Sequence, residues 1–428
     1  MQHLITLKYI LVPIQWKSAL ITPIAKIHNP AEAADFRPIS VTSILSRCIE
    51  KALVKQFFYP CMISGELSVA LSNQFAYRPS GSTTAALVSL LHDVTTILED
   101  EPYVRLVALD FSRAFDTLSH RTLSEKLAKT DIPDNIYNWL SNFLSLRKHR
   151  TKIGTDISKE KAFNSGVVQG SAIGPAAFII CTSGLQPSHK GNRLGKYADD
   201  CYLLIPASSC DSLSSELDHV SKWAADFNLK LNLNKTKELI IRSNRRADHT
   251  IPDPPSVLGV ERSTTMLVLG VTLSSNLSMS AHISALCTAS SSALFALQTL
   301  RRLGMTTPQI STVCRATLVA KLSYCSPAWR GFLSKADNDR LEAVMRRAQK
   351  WGLYASTGST LAAVMDSSDR QLFNTVLTNP NHVLHKLLPP IVSHTHNLRP
   401  RSHNRSLPIK STLISSNFLC RMLYKDIY

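Results

Sequence analysis

Leu194-Gly-Lys-Tyr-Ala-Asp-Asp-Cys-Tyr-Leu-Leu-Ile205 is the stretch on which the reading of this 428-residue chain turns. Two short apolar runs, 194–197 and 201–205, flank Ala198-Asp199-Asp200. That pattern predicts a β-hairpin with adjacent carboxylates at its tip. Further upstream, 104–109 is a second apolar run of strand length, and it ends at Asp110. Carboxylates held side by side on rigid strands repel one another, and bound cations offset that cost. Magnesium suits such a set because it takes oxygen ligands octahedrally and shares its shell with water and phosphate oxygens. Two such ions about 3.5–4 Å apart clamp the attacking and leaving oxygens of an in-line phosphoryl displacement. The pattern therefore points to nucleotidyl transfer.

Around these strands the periodicity predicts a short strand at 21–26, helices at 41–58 and 83–98, then helices at 123–129 and 133–146. Arg147-Lys-His-Arg150 reads as a basic cluster after the last of these. A run of small residues, 166–175, leads into an apolar helix at 176–185, and a helix at 212–227 precedes a strand at 238–242. Residues 266–273 read as a strand with Gly270 inside it, and the chain beyond residue 282 turns helical.

Composition narrows the class. The 48 Lys and Arg against 31 Asp and Glu leave a net charge of +17, so a polyanionic partner is expected. Residues 281–428 hold 18 of the bases and 6 of the acids, so the excess is concentrated there. Nine cysteines without a C-x-x-C pair argue against both a disulfide scaffold and a zinc finger, and for a reduced compartment. The expected location is intracellular, nuclear or cytoplasmic. No apolar run approaches the roughly 18 to 20 residues that span a bilayer, and no membrane partner is expected.

The motifs quoted so far fall into a longer ordered series. It comprises Trp16-Lys-Ser-Ala-Leu-Ile-Thr-Pro-Ile-Ala-Lys26, Asp35-Phe-Arg-Pro-Ile-Ser40 with Glu50, and Asn73-Gln-Phe-Ala-Tyr-Arg78 with Ser82-Thr-Thr84. It continues through Ala108-Leu-Asp-Phe-Ser-Arg-Ala-Phe-Asp116, Gln169-Gly-Ser-Ala-Ile-Gly-Pro175, Tyr197-Ala-Asp-Asp200, Asn228-Leu-Lys-Leu-Asn232, Lys235-Thr236 and Leu269-Gly-Val271 with His282. In this order the pieces resemble the reverse transcriptase domain of non-LTR (LINE-type) retrotransposons.

The resemblance implies an α+β right-hand polymerase, with fingers and palm over 1–275, a mainly helical thumb and connection region over 276–393, and a loose basic tail over 394–428. It implies an RNA-directed DNA polymerase that extends a primer with dNTPs on an RNA template, using Mg2+ with Mn2+ as a substitute. Asp110, Asp199 and Asp200 would be catalytic and would ligate metal together with the Phe111 carbonyl. Lys235 would protonate the departing pyrophosphate. Lys26, Arg37, Phe115, Gln169 and Gly170 would bind the dNTP, with the Phe115 ring excluding a 2′-hydroxyl. Tyr197, Ser171, Arg346 and Arg347 would meet primer and template.

Val168 stands where the family has Pro, Ala76-Tyr77 where it has Gly-Phe, and Ile173 where Leu is common. None of these removes a catalytic group. The chain starts almost at the first fingers motif, so the expectation is a piece of a longer polyprotein that carries an endonuclease upstream. Two other readings stay open on sequence alone: an inactive remnant that only binds nucleic acid, and an RNA-dependent RNA polymerase. The Leu322-Ser-Tyr-Cys-Ser-Pro-Ala-Trp329 segment and the helix at 341–350 resemble the thumb and connecting region of the same elements.

Overall fold

Apolar side chains on both faces of three neighbouring strands organise the protein around one sheet with two buried faces. In this computed structural model, which describes residues 11–243, 251–355, 360–392 and 403–425, β1 (Ser18–Ala25) and β2 (Phe36–Val41) pair antiparallel, and β3 (Tyr103–Leu109) follows the long helix Thr83–Asp100. β4 (Arg147–Ile153) runs parallel to β1 and carries β5 (Asp156–Ile157) and β6 (Lys161–Phe163), which completes a first sheet. The second sheet has β7 (Arg193–Tyr197), β8 (Asp200–Pro206), β9 (Lys237–Arg242) and β10 (Glu261–Arg262) in the order β10-β9-β3-β8-β7. A separate hairpin joins β11 (Thr265–Val268) to β12 (Val271–Ser274).

Side chains alternate across a strand, so β3 and β8 each feed two cores. Val104, Leu106, Tyr202 and Leu204 belong to one apolar cluster, with the Thr83–Asp100 helix and the C-terminal helices. Val107, Leu109, Leu203 and Ile205 belong to the other, with the apolar helix Gly174–Cys181 and its neighbours. The run 104–109 is apolar except for Arg105, which is itself buried and paired with buried Glu238 at 2.5 Å, because neither of its faces meets water. The fold is α+β, as expected, with an antiparallel palm sheet and a mainly helical C-terminal region.

Several local expectations change. Arg37-Pro38 lies inside β2, and the helix expected at 41–58 is Ile44–Leu53, continued by a wider π turn at Val54–Phe58. The basic cluster at 147–150 is strand β4. Arg147 is buried, donates to the carbonyls of Phe143 (3.0 Å) and Trp16 (3.2 Å), and stacks on the Phe143 ring. Gly270 is not inside a strand but in the β11–β12 turn.

The tail expected to be loose is docked over 403–425, while 394–402 lie outside the described residues. In the helix Phe418–Leu423, Phe418, Leu419, Met422 and Leu423 are buried in the cluster that also contains Val104. Burying each such side chain contributes about 1.5–3 kcal/mol, which offsets the entropy of ordering a short polar approach. Asn417 caps this helix through the Cys420 N–H (2.9 Å), and Arg421 pairs with the buried Asp369 at 2.8 Å. Arg330 and Lys425 pair with Asp366, so part of the C-terminal basic excess is used inside the protein.

The 23-residue helix Ser280–Arg302, at mean hydropathy 1.3, is by length and composition apolar enough to cross a bilayer, although no run of that reach was expected. Its Ala, Ile, Leu, Phe and Cys residues raise the mean, while its Ser and Thr residues interrupt any continuous apolar run. His282, Ile283, Leu294 and Leu297 turn inward, and the helix packs on Lys335–Lys350.

Candidate nucleotidyl-transfer site

The site begins where β3 and β8 stop pairing. Leu109 pairs with Cys201, so Asp110 and Asp200 occupy the next step on the two strands. Tyr197 pairs with Asp200, which reduces the hairpin tip to Ala198-Asp199. The tip was expected to include Asp200, which instead opens β8. Ala198 takes a positive φ of 58°, and its N–H donates to Gln74 Oε1 at 3.0 Å. The same oxygen accepts from the Ala76 N–H at 2.9 Å, so Gln74 braces the tip from the Asn73–Arg78 motif. Behind it, buried Lys196 donates to the carbonyls of Thr182, Ser183 and Leu185 at 3.1–3.4 Å, just past the end of the Gly174–Cys181 helix. Cations favour that end of a helix. Burial lowers this ammonium to about 8.

Asp110 and Asp199 share one cleft of about 720 Å³. Burial, followed by the Asp110 charge, raises Asp199, while its own backbone N–H and Arg37 pull it down. Asp200 is pushed up to about 6 by burial and then by Asp199 and Asp110, although part of its side chain reaches solvent. Tyr77 is raised by burial and then by Asp199, Tyr197 and Asp200. The cleft therefore carries concentrated negative charge. Among the described residues no three His, Cys, Asp or Glu side chains converge as a ready-made metal cage. Two carboxylates would hold a cation there only with water or substrate oxygens in its remaining positions, a donor set that fits Mg2+.

The loop 228–235 reaches the cleft through backbone bonds. Asn232 N–H donates to the Asp110 carbonyl at 2.8 Å and Ser112 N–H to the Lys230 carbonyl at 2.9 Å. This pattern turns the carbonyl of Phe111, which bridges Leu231, away from the loop. It also brings exposed Lys235 to the cleft wall.

Lys26, Arg37, Phe115, Gln169 and Gly170 line the same cleft. Lys26 Nζ donates to the Ala34 carbonyl at 2.8 Å, and Arg37 projects from β2. The Phe115 ring stacks on Phe178 at 4.2 Å between centroids. Gln169 bridges two parts of the protein: its carbonyl accepts from Ser40 N–H at 2.6 Å, and its side-chain amide donates to Asp116 at 2.6 Å. Gly170 has φ +114°, and a Cβ there would lie 2.4 Å from the Ser40 carbonyl oxygen, so only glycine lets the two segments approach this closely.

Other expected site residues lie elsewhere. Ser171 is buried, and its hydroxyl accepts from Gly174 N–H at 2.9 Å, capping a helix instead of meeting a primer. Tyr197 and Tyr202 line a separate cavity of about 50 Å³ behind the hairpin. Arg346 and Arg347 are exposed on the Lys335–Lys350 helix and do not line the cleft.

Among the lining residues without an assigned role are Arg113, Asp116, Tyr77 and Asn232. Arg113 adopts φ +51°, a conformation that non-glycine residues reserve for turns and functional sites. Burial raises Asp116, against the Gln169 bond and the Arg113 and Lys26 charges. All four sit inside the motif strings quoted above, so the signal was position in a motif without a geometry to interpret it. Glu50 is similar: fully buried, it accepts from the N–H groups of Ala172 (2.7 Å) and Ile173 (3.2 Å) and holds the 169–174 loop in place.

A family model described as "Reverse transcriptase (RNA-dependent DNA polymerase)" matches residues 26–273. The chain is 25% identical over 357 residues to a probable RNA-directed DNA polymerase from transposon BS of Drosophila melanogaster, covering 79% of this chain and 38% of that relative. It is 26% identical over 284 residues to the corresponding probable polymerase from transposon X-element of the same organism, covering 63% and 30%. Among solved structures it is similar to apo telomerase from Candida tropicalis, with a TM-score of 0.43 and 13% identity over 87% of this chain and 63% of that one. The chain spans well under half the length of the two curated relatives.

Proposed function

The chain belongs to the reverse transcriptase family, and we propose that it is the synthetic core of a non-LTR retrotransposon's RNA-directed DNA polymerase. The observation that carries this reading is the convergence of Asp110, Asp199, Lys26, Arg37 and Gln169, from five separate segments, on one cleft. Reverse transcriptases use divalent metals, and Asp110 and Asp199, with Asp200 beside them and the Phe111 carbonyl turned outward, are the residues proposed to hold Mg2+. When bound, the ions supply charge at the attacking and leaving oxygens of the displacement.

The chain's own residues account for the rest of the step. The primer 3′-oxygen forms a bond to the α-phosphorus as the α–β bridging P–O bond breaks, and pyrophosphate departs. Arg37 offers parallel donors and Lys26 a compact charge to the triphosphate. Lys235, which lines the cleft, would give the pyrophosphate a proton. The Phe115 ring, fixed against Phe178, closes the wall on which the sugar would rest and so favours deoxynucleotides. An RNA template and a DNA primer are the proposed partners, with backbone contacts from exposed bases such as Arg346 and Arg347.

Primer extension on an RNA template with dNTPs and Mg2+ tests the reading, with Asp199→Ala as control. Product from the wild type and none from the variant is expected. Equal product from both, or preferential use of ribonucleotides, would sink it. Salt-sensitive binding without any synthesis would favour the binding-only remnant.

A further inference from the structure

Lys196 stands directly before the Tyr197-Ala-Asp-Asp200 string, and three parts of the site meet at it. Its backbone is clasped by the Asn73–Arg78 motif: its N–H donates to the Asn73 carbonyl at 2.7 Å, and its carbonyl accepts from Phe75 N–H at 2.9 Å. Gln74, between those two residues, braces the tip at Ala198. Across the hairpin Lys196 pairs with Cys201, which belongs to the same apolar cluster as the Gly174–Cys181 helix. The ammonium reaches the carbonyls of Thr182, Ser183 and Leu185, in the turn that follows that helix.

The helix at the far end of this link belongs to the nucleotide side of the cleft. It follows the 169–173 loop, which buried Glu50 holds through the N–H groups of Ala172 and Ile173. Phe178, in its middle, is the ring on which Phe115 stacks. Thr182 is fixed to the same residue, since its N–H and its hydroxyl both donate to the Phe178 carbonyl, at 3.0 and 2.9 Å. One ammonium therefore joins the element behind Phe115 to the hairpin that carries Asp199. Phe115 and Asp199 line the cleft; Lys196 does not, and acts on it only through the hairpin.

Lys196 is buried, and among the described residues no carboxylate pairs with it; the titratable groups that face it are Cys201 and Lys126. A buried charge costs several kcal/mol unless its hydrogen bonds are satisfied, and an apolar side chain of similar volume would fill the space without that cost. Here three ammonium hydrogens meet three carbonyls. What the ammonium adds over an apolar residue is direction, because hydrogen bonds fix distance and orientation where apolar contact does not.

We infer that Lys196 is a positioning residue for synthesis: by tying the Asp199 hairpin to the end of the Gly174–Cys181 helix, it sets the separation between that carboxylate and the Phe115 wall. The inference rests on the polymerase reading for its substrate.

Lys196→Met tests this, because it keeps an unbranched side chain and removes the donors. Two readouts on the full chain are needed: kinetics of single-nucleotide addition, and the rise in melting temperature that Mg2+ gives the protein without nucleic acid or dNTP. The expected result is a kcat lower by about 10-fold or more, the scale of a misplaced reacting group. The KM for dNTP should be unchanged, because Arg37 lies on β2 and Lys26 just after β1, outside the link. The Mg2+ concentration giving half the melting shift should rise by about 10-fold, the same scale. Lys196→Gln, shorter and uncharged but still with an amide donor, should show both changes in smaller measure and serves if the Met variant does not fold. If the wild type extends primers and a folded variant keeps its kcat or its Mg2+ response, the inference is overturned and the polymerase reading stands. If the wild type makes no product but its Mg2+ response is weakened in the variants, the positioning role holds and the activity reading fails. No product from the wild type, with a Mg2+ response that is absent or the same in all three proteins, would overturn both.

Discussion

The side-chain amide of Gln169 donates to the Asp116 carboxylate at 2.6 Å, across 53 residues of sequence. An ionised carboxylate has no hydrogen to give, so it fixes the amide with its NH2 group inward and leaves Oε1 free for another partner. Asp116 thereby selects the face that Gln169 offers to the cleft.

Asp116→Leu should remove that choice and raise the KM for dNTP by about 10-fold, in line with the loss of a charge-assisted hydrogen bond. Asp116→Asn, which still offers an acceptor, should retain most of the affinity. Steady-state kinetics of single-nucleotide addition check both, and equal KM for all three proteins would refute the assignment.

Gly170→Ala addresses the junction of the first sheet with the cleft. The new Cβ would need to lie 2.4 Å from the Ser40 carbonyl oxygen at a φ of +114°, so the two segments must separate. Synthesis should fall by at least about 10-fold, because an ångström-scale misplacement of binding groups has effects of that order. The fold should survive, since the strain is confined to one loop. Circular dichroism with an extension assay separates these outcomes.

The carboxylate cluster predicts a pH dependence in metal-free buffer. Asp200 sits at about 6 in the folded chain against 3.8 ordinarily, so the native state holds its proton more tightly than the unfolded state does. Stability from this group is then present below pH 3.8 and is lost as pH rises through 6. With EDTA above pH 6, Asp200→Asn should melt higher than the wild type, and the gap should close near pH 4. Added Mg2+ should stabilise the wild type and have less effect on the variant. Melting curves across pH, with and without Mg2+, provide the test.

His282 has the opposite sign. Burial lowers it from 6.5 to about 4, and its Nδ1 accepts from Thr272 N–H at 3.4 Å while the ring meets Trp329 edge-on. Charging it is resisted in the folded chain, so stability present at neutral pH declines between 6.5 and 4. On the order of 3 kcal/mol is at stake. Urea midpoints for His282→Asn should change less across that window than those of the wild type; parallel pH profiles would exclude a role for this histidine.

Much of the site was legible because its chemistry comes in contiguous strings. A carboxylate after an apolar strand and another in a two-strand hairpin need only local patterning to be recognised, and Asp110 and Asp199 do share the cleft. What failed was mostly a matter of facing. Ser171 stands two residues from Gln169 yet turns inward to cap a helix, and Asp200 pairs with Tyr197 instead of sitting in the tip. A one-residue change of position reverses the face of a strand residue, and no periodicity marks where a turn starts. Arg147 reads in the sequence only as part of a basic cluster; its burial depends on the Trp16 carbonyl, 131 residues away, which no local pattern marks.

The sequence by itself determined the strands, the acids that end them and the family to which their order belongs, since each depends on residues close together in the chain. Only the tertiary structure decided that Gln169 answers to Asp116, that the basic tail docks through Phe418–Leu423, and that Gln74 braces Ala198. Those relationships join residues far apart in the chain, where burial and hydrogen-bond geometry, not local pattern, select the partner.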